Sequence, residues 1–153
     1  MVNYTPRTVD ERSHQFEDSI DTIMDKKFVW FSAKSGIEEA IEKMVRADVT
    51  GAPVLDDDQR LVGYLSQKDG LKLATQLRYL NDQARFVEDY MSHDLYSFHF
   101  KTSIFHVIQA FIDRWFHSYP ITNDQGKVVG VISRNKMLAF VNKQSQTNWK
   151  KAG

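Results

Sequence analysis

Residues 47–74 read ADVTGAPVLDDDQRLVGYLSQKDGLKLA, and residues 116–141 read FHSYPITNDQGKVVGVISRNKMLAFV. Aligned on Pro53 and Pro120, the two stretches share one frame. A short apolar strand opens at the proline, and a turn rich in Asp, Asn, Gln and Gly follows. A second apolar strand with a single glycine comes next, then a serine and a helix-like run. Two adjacent strands joined by a polar turn read as a hairpin.

The frame extends upstream. A shift of 67 places residues 20–74 on 87–141 without a gap, and eleven of the 55 pairs are identical, from Met24/Met91 to Leu71/Leu138. The apolar pattern matches better than the identities do. Ile37, Ala40, Ile41, Met44 and Val45 are spaced i, i+3, i+4, i+7, i+8, and Ile104, Val107, Ile108, Phe111 and Ile112 repeat that spacing. This spacing predicts one amphipathic helix in each half. Ser35 with Glu38 forms an S-x-x-E box at the first helix start, and Thr102 stands ready to cap the second. FVWF (28–31) and LYSF (95–98) precede these helices as extended stretches. Ser66 opens a last helix over 67–80, and Ser133 opens one over about 134–142. Each half is therefore β-α-β-β-α. The expected fold is α+β, two repeats packed with pseudo-twofold symmetry. The divisions are a capping segment 1–19, repeat 1 at 20–74, a helical linker 75–86, repeat 2 at 87–141, and a flexible tail 142–153.

Composition narrows the function. The 153 residues suit one compact domain or two small units sharing a core. Lys plus Arg and Asp plus Glu each number 20, so no electrostatic case exists for nucleic acid or a membrane surface. Cysteine is absent, which excludes disulfides, a thiol nucleophile and thiolate metal sites. No apolar run approaches a membrane span, and the polar start MVNYTPRTVDER has no signal-peptide core. The default expectation is a cytoplasmic protein. No Ser-His-Asp order, nucleophile elbow or GxxxxGK loop points to an enzyme. His93, His99, His106 and His117 lack helical metal-ligand spacing. The acidic run Asp56, Asp57 and Asp58 falls in a solvated turn. No metal is expected.

The repeated unit resembles the CBS domain, named for cystathionine β-synthase, and the tandem resembles a CBS pair or Bateman module. The resemblance covers nearly everything from about 18 to 142. It implies a regulatory module that binds adenine nucleotides or related adenosyl ligands between the repeats. It also implies frequent dimerisation and no chemistry of its own. The family's G-h-h-[ST]-x-x-D stretch stands here as Gly63-Tyr64-Leu65-Ser66-Gln67-Lys68-Asp69.

The chemistry of that stretch can be stated on its own. Ser66 sits at a helix N-cap, where free backbone amides attract phosphate. Asp69, one turn in, only accepts hydrogen bonds and can take both hydroxyls of a ribose cis-diol. Lys68 offers a point charge. The same serine and acid also make an ordinary cap worth roughly 1 kcal/mol. The resemblance sets adenine against Thr50, Gly51, Ala52 and Pro53. Repeat 2 departs from the pattern: Ser133, Arg134, Asn135 and Lys136 keep the cap and lose the acid. Either ribose binding is lost there, or Arg134 and Lys136 hold an anion. His117, Tyr119 and Pro120 complete this second candidate set, with Tyr119 placed to fill or to stack on a base.

The expected ligand is AMP, ADP or ATP, with S-adenosylmethionine and NAD behind them, and no cofactor is required. The expected partners are a second copy of the chain and a separate regulated protein. Phe105, Ala110, Trp115, Met137, Phe140 and Val141 are the candidate interface, because they place apolar side chains beyond the core stripe. The rival reading is a ligand-free dimerisation and docking scaffold.

Overall fold

The computed structural model describes residues 16–76 and 85–151, with side chains as far as 146. Residues 1–15 of the N-terminal segment and 77–84 of the linker lie outside the described residues. The first half contains β1 (Phe31–Ser32), α1 (Ile37–Ala47), β2 (Gly51–Leu55), β3 (Leu61–Ser66) and α2 (Gln67–Gln76). The second contains β4 (Phe98–His99), α3 (Ile104–Asp113), β5 (Ser118–Thr122), β6 (Val128–Ser133) and α4 (Arg134–Lys151). Two three-stranded sheets result, ordered β1-β2-β3 and β4-β5-β6, so the chain is α+β with two β-α-β-β-α units.

The sheets match in detail. β1 runs parallel to β2 and β4 parallel to β5, while each hairpin is antiparallel. Both hairpins carry a register shift at the same place, Val54/Leu55 and Ile121/Thr122. Both turns are closed by a side chain. Asp56 Oδ1 accepts from the amides of Asp58 and Arg60, each at 2.9 Å, and Asn123 Oδ1 accepts from Gln125 and Lys127, each at 3.0 Å. The aspartate run is thus a turn whose first acid holds the backbone.

Each half has its own core, and each core takes a residue from the other half's leading segment. Ile20 is fully buried among Ile104, Val107, Tyr119, Ile121 and Ile132 of the second half. Val87 is fully buried among Phe31, Ile37, Ala52, Val54 and Leu65 of the first. Backbone bonds fix the exchange: Ile20 N donates to Thr102 O at 2.8 Å, and Val87 N to Ser35 O at 2.9 Å. Asp25 bridges Val131 of β6, and Ser92 bridges Tyr64 of β3. The repeat read along the chain is therefore not the unit that packs. The exchange explains two matched pairs of the alignment. The Met91 thioether occupies the space where Gly63 lacks a side chain, and Met24 does the same at Gly130.

Three local expectations change. The caps stand one residue later than Ser35 and Thr102. Gly36 is the N-cap of α1 without a side-chain bond, and Ser103 caps α3 by accepting from His106 N at 3.3 Å. At α1 the Ser35 carbonyl is taken by Val87, and Ile37 N donates to Arg85 O at 3.0 Å. Glu38 then pairs with Arg85 instead of closing a box. Second, α4 runs on to Lys151 rather than ending near 142, since residues 142–151 contain neither Gly nor Pro. Third, the helix stripes are only partly buried. Ile37, Ala40 and Met44 are inside, as are Ile104, Val107 and Phe111, but Val45 and Ile112 face solvent.

Gly126 in the β5–β6 turn has φ +75°, a backbone state that a Cβ strains. Nothing lies within 4 Å of a Cβ there, so strain alone acts. Gly126→Ala should lower stability by about 1 kcal/mol in a denaturant titration.

Candidate functional site

Two clefts lie between the halves, related by the same shift of 67. The first has a volume of about 270 Å³ and the second about 580 Å³. Thr50, His117 and Ser118 line both. Between them Tyr64 of β3 reaches across, and its hydroxyl hydrogen-bonds the Ser118 hydroxyl of β5. Burial pushes the Tyr64 phenol above its usual range, so it stays protonated and able to donate at neutral pH.

The first cleft is built on the corner between β3 and α2. Ser66 ends the strand, and Asp69 stands in the helix's first turn. Asp69 Oδ2 accepts from Ser66 N at 2.9 Å and from Ser66 Oγ at 2.7 Å, while Asp69 N donates to Ser66 Oγ at 3.2 Å. Lys72 approaches Asp69 Oδ1 at 3.1 Å. The Asp69 side chain is only 9% exposed, yet it lines the cleft. Its local bonds fill both acceptor sites of Oδ2 and one of Oδ1, leaving one acceptor site on Oδ1. The first-turn amides are less free than a bare helix start implies, because Gln67 N already donates to Thr50 O at 3.0 Å. Opposite the corner stands an apolar wall that includes Leu95, Tyr96, Trp115, Phe116 and Pro120. Arg114 lies 3.9 Å above the Tyr96 ring, which packs 5.0 Å from Phe116. Trp115 is 93% exposed at the rim. The cleft thus joins flat apolar surface to an acceptor, an arrangement suited to a heteroaromatic base with a polyol attached.

The geometry sorts the sequence candidates. Thr50, Ser66 and Asp69 come together in the first cleft, and His117 and Pro120 join them from the second half. Gly51 and Pro53 line the second cleft instead, with Ser133, Arg134 and His117. Gly51 makes room for protein rather than for a base: a Cβ there would stand 2.6 Å from the Tyr64 ring. Ala52 and Tyr119 occupy matched positions, and both point into their cores. Tyr119 neither fills nor faces a cleft. Its ring packs on Phe98 and Phe111, and its hydroxyl donates to Ala110 O at 3.1 Å. Lys68 is exposed and lines neither cleft. In the second cleft Arg134 donates to His117 Nδ1 at 3.2 Å; Lys136 does not line that cleft, and it pairs with Asp25, which does, at 2.8 Å.

Sequence reading missed the 92–96 wall of the first cleft and its mate, 25–29, in the second. Their only signal was the extended character of FVWF and LYSF. Among the described residues no three His, Asp or Glu side chains converge as a metal site requires. No helix among them is long and apolar enough to cross a membrane.

A family model for the CBS domain matches the chain twice, at residues 20–75 and 87–143. The chain belongs to the CBS domain family. The CBS pair is similar to CBSX2 in a crystal structure in complex with AMP. That likeness has TM-score 0.73 and 23% identity, covering 82% of this chain and 97% of the other. It is also similar to the CBS pair of protein MJ0100, in complex with 5-methylthioadenosine and S-adenosyl-L-methionine. There the TM-score is 0.71 and the identity 18%, over 82% of this chain and 97% of that one. Among curated relatives, an inosine-5'-monophosphate dehydrogenase of Methanocaldococcus jannaschii is 22% identical over 86% of this chain. The chain spans only 25% of that relative's length. The chloroplastic CBS domain-containing protein CBSX1 of Arabidopsis thaliana is 24% identical over 67% of this chain and 54% of its own length.

Proposed function

We propose that this CBS pair is a regulatory module. It binds an adenine nucleotide or adenosyl ligand in the first cleft and signals occupancy to a separate protein. The observation that carries this reading is Asp69: a nearly buried carboxylate, held by Ser66, aimed into a cleft whose other wall is aromatic and aliphatic. The base packs on that wall, and one hydroxyl of the ribose diol donates to the acceptor site left on Asp69 Oδ1. The AMP, methylthioadenosine and S-adenosylmethionine complexes of CBSX2 and MJ0100 support this ligand class. The cleft lining carries Asp69 and Asp94 and neither Lys nor Arg, so ligands without phosphate belong in any screen. Binding shifts a partner's view of the module only through different affinities for two states.

The test is a thermal-shift panel of AMP, ADP, ATP, S-adenosylmethionine, methylthioadenosine and NAD. One ligand should raise the melting temperature, by about 2.7 kcal/mol of stabilisation at a concentration of 100 Kd. A flat response to all six at millimolar concentration would favour the scaffold reading.

A second copy of the chain is the proposed homo-oligomeric partner. Met137 is unavailable for the expected interface, being buried in the second core, and Phe140 packs edge-on against Phe16 at 6.1 Å. Phe105 and Trp115 of the expected set are exposed, and further exposed apolar residues come in matched pairs, Val45 with Ile112 and Leu71 with Leu138, each between 65% and 75% exposed. Val45 and Leu71 share a groove between α1 and α2. Large apolar side chains at both mates give a pseudo-symmetric surface, which a twofold contact can bury. Leu71→Glu with Leu138→Glu should convert a dimer to a monomer by light scattering. A dimer that survives both changes rejects this surface.

A further inference from the structure

The far walls of the two clefts differ. Tyr96, Trp115 and Phe116 line the first, and their pseudo-twofold mates Val29, Asp48 and Val49 line the second. The helix ends that carry these residues differ too. α1 ends on Asp48 in the left-handed region, at φ 51°. Two bonds close that end: Asp48 N donates to Val45 O and Val49 N to Met44 O, each at 3.2 Å. α3 ends on Arg114 in extended backbone, and the Arg114 amide donates to Ala110 O at 3.0 Å. The Trp115 and Phe116 amides have no backbone partner among the described residues. Side chains hold this segment instead. Arg114 covers one face of the Tyr96 ring, and Phe116 packs against Tyr96 and, at 5.7 Å, against Tyr119. Trp115 takes no part in this cluster. Its exposure of 93% exceeds that of every other large apolar side chain described.

We infer that Trp115 is a ligand-binding residue: its indole stacks on the base in the first cleft and covers the face that the Tyr96–Phe116 platform leaves open. This rests on the first cleft being the ligand site. A heteroaromatic base has two flat faces, and an aromatic ring laid on either one contributes by stacking. The platform supplies one ring surface, fixed by its packing. Trp115 supplies the other. It already stands at the rim, on a segment with no amide bonds to break, so side-chain torsions suffice to lower it.

A contact between copies of the chain accounts for this ring less well. The exposed apolar pairs of the two halves match, whereas the mate of Trp115 is Asp48. The position is apolar only where the cleft beside it has an aromatic wall. Closure also withdraws this ring from the surface, which gives ligand occupancy a signal outside the cleft.

Isothermal titration of the full chain with AMP and with methylthioadenosine tests this. Trp115→Ala should weaken binding by about 5- to 100-fold, and Trp115→Phe, which keeps a ring, should recover most of the loss. The unliganded melting temperature should stay within about 2 °C, because the side chain is exposed. The mass by light scattering should not change. Of the three tryptophans, Trp115 remains alone in Trp30→Phe with Trp149→Phe, and its emission should shift to the blue or be quenched at saturating ligand. If that double variant does not fold, the difference between wild type and Trp115→Phe gives the same reading. Equal affinity in wild type and Trp115→Ala, an emission that ligand leaves unchanged, or an affinity loss that comes with a change in mass would each overturn the inference. In the same titration Asp69→Asn reports on the cleft by itself: binding weakened there but not in Trp115→Ala removes Trp115 and leaves the first-cleft reading intact. No binding of either ligand by wild type would remove both.

Discussion

Replacing Ile20 with alanine should destabilise the whole chain by about 2–5 kcal/mol, although residue 20 precedes every strand and every α-helix among the described residues. The side chain has no exposed surface and is enclosed by α3, β5 and β6 of the opposite half. Truncation removes the transfer free energy of three carbons and leaves a cavity that the close-packed core fills only in part. At roughly 2–4 °C per kcal/mol for a chain of this size, the melting temperature should fall by about 5 °C or more. The exchange also dictates the form of the transition. Ile20 belongs to the first sequence repeat and stabilises the second core, while Val87 does the reverse. Neither half keeps an intact core when the other opens, so Ile20→Ala and Val87→Ala should each shift one cooperative transition. Thermal unfolding followed by circular dichroism checks this. A loss under about 1 kcal/mol, or two separated transitions, would show that the exchanged segments do not couple the halves.

The exchange also marks where sequence reading stops. The repeat itself was legible, because both halves must bury the same positions of the same hairpin and helix. Periodicity records which residues are buried and not which half buries them. Ile20 and Val87 would carry the same signal whether they packed on their own repeat or on its mate. The matched pairs Met24/Met91 and Gly63/Gly130 were visible along the chain, but their shared cause, a thioether lying over the opposite repeat's glycine, needs the packed fold. The helix caps moved by one residue for a related reason. A tertiary strand-like contact, Gly36 with Phe86, supplies the start of α1 with a partner that no local motif encodes.

Part of the site was legible for the opposite reason. Ser66 and Asp69 are three residues apart and meet through local geometry, so their spacing alone sets their contact. Thr50, Gly51 and Pro53 are consecutive or nearly so, yet the pseudo-twofold arrangement divides them: Thr50 borders both clefts, and the other two border only the second. Tyr64 shows the same limit. It belongs to the motif itself, but its partner Ser118 is 54 residues away.

Asp69→Asn should separate the two duties of this corner. Asparagine keeps the side chain's shape and one oxygen that can accept from Ser66, so the cap survives in large part. The unliganded melting temperature should move by no more than a few degrees, since a lost cap costs about 1 kcal/mol. Ligand binding should suffer more. A hydrogen bond to a charged group contributes about 1.5–3 kcal/mol, against roughly half that for a neutral acceptor. The amide also presents donors where the diol needs acceptors. With AMP or methylthioadenosine as the probe, affinity should fall by about 10- to 100-fold in a titration, while the fold is unchanged by circular dichroism. Ser66→Ala should behave differently. It removes a bond that orients Asp69 without removing the acceptor, so its cost should fall mainly on stability. Equal affinity in wild type and Asp69→Asn would remove Asp69 from the site, and the cleft's aromatic wall would then have to hold the ligand without a carboxylate.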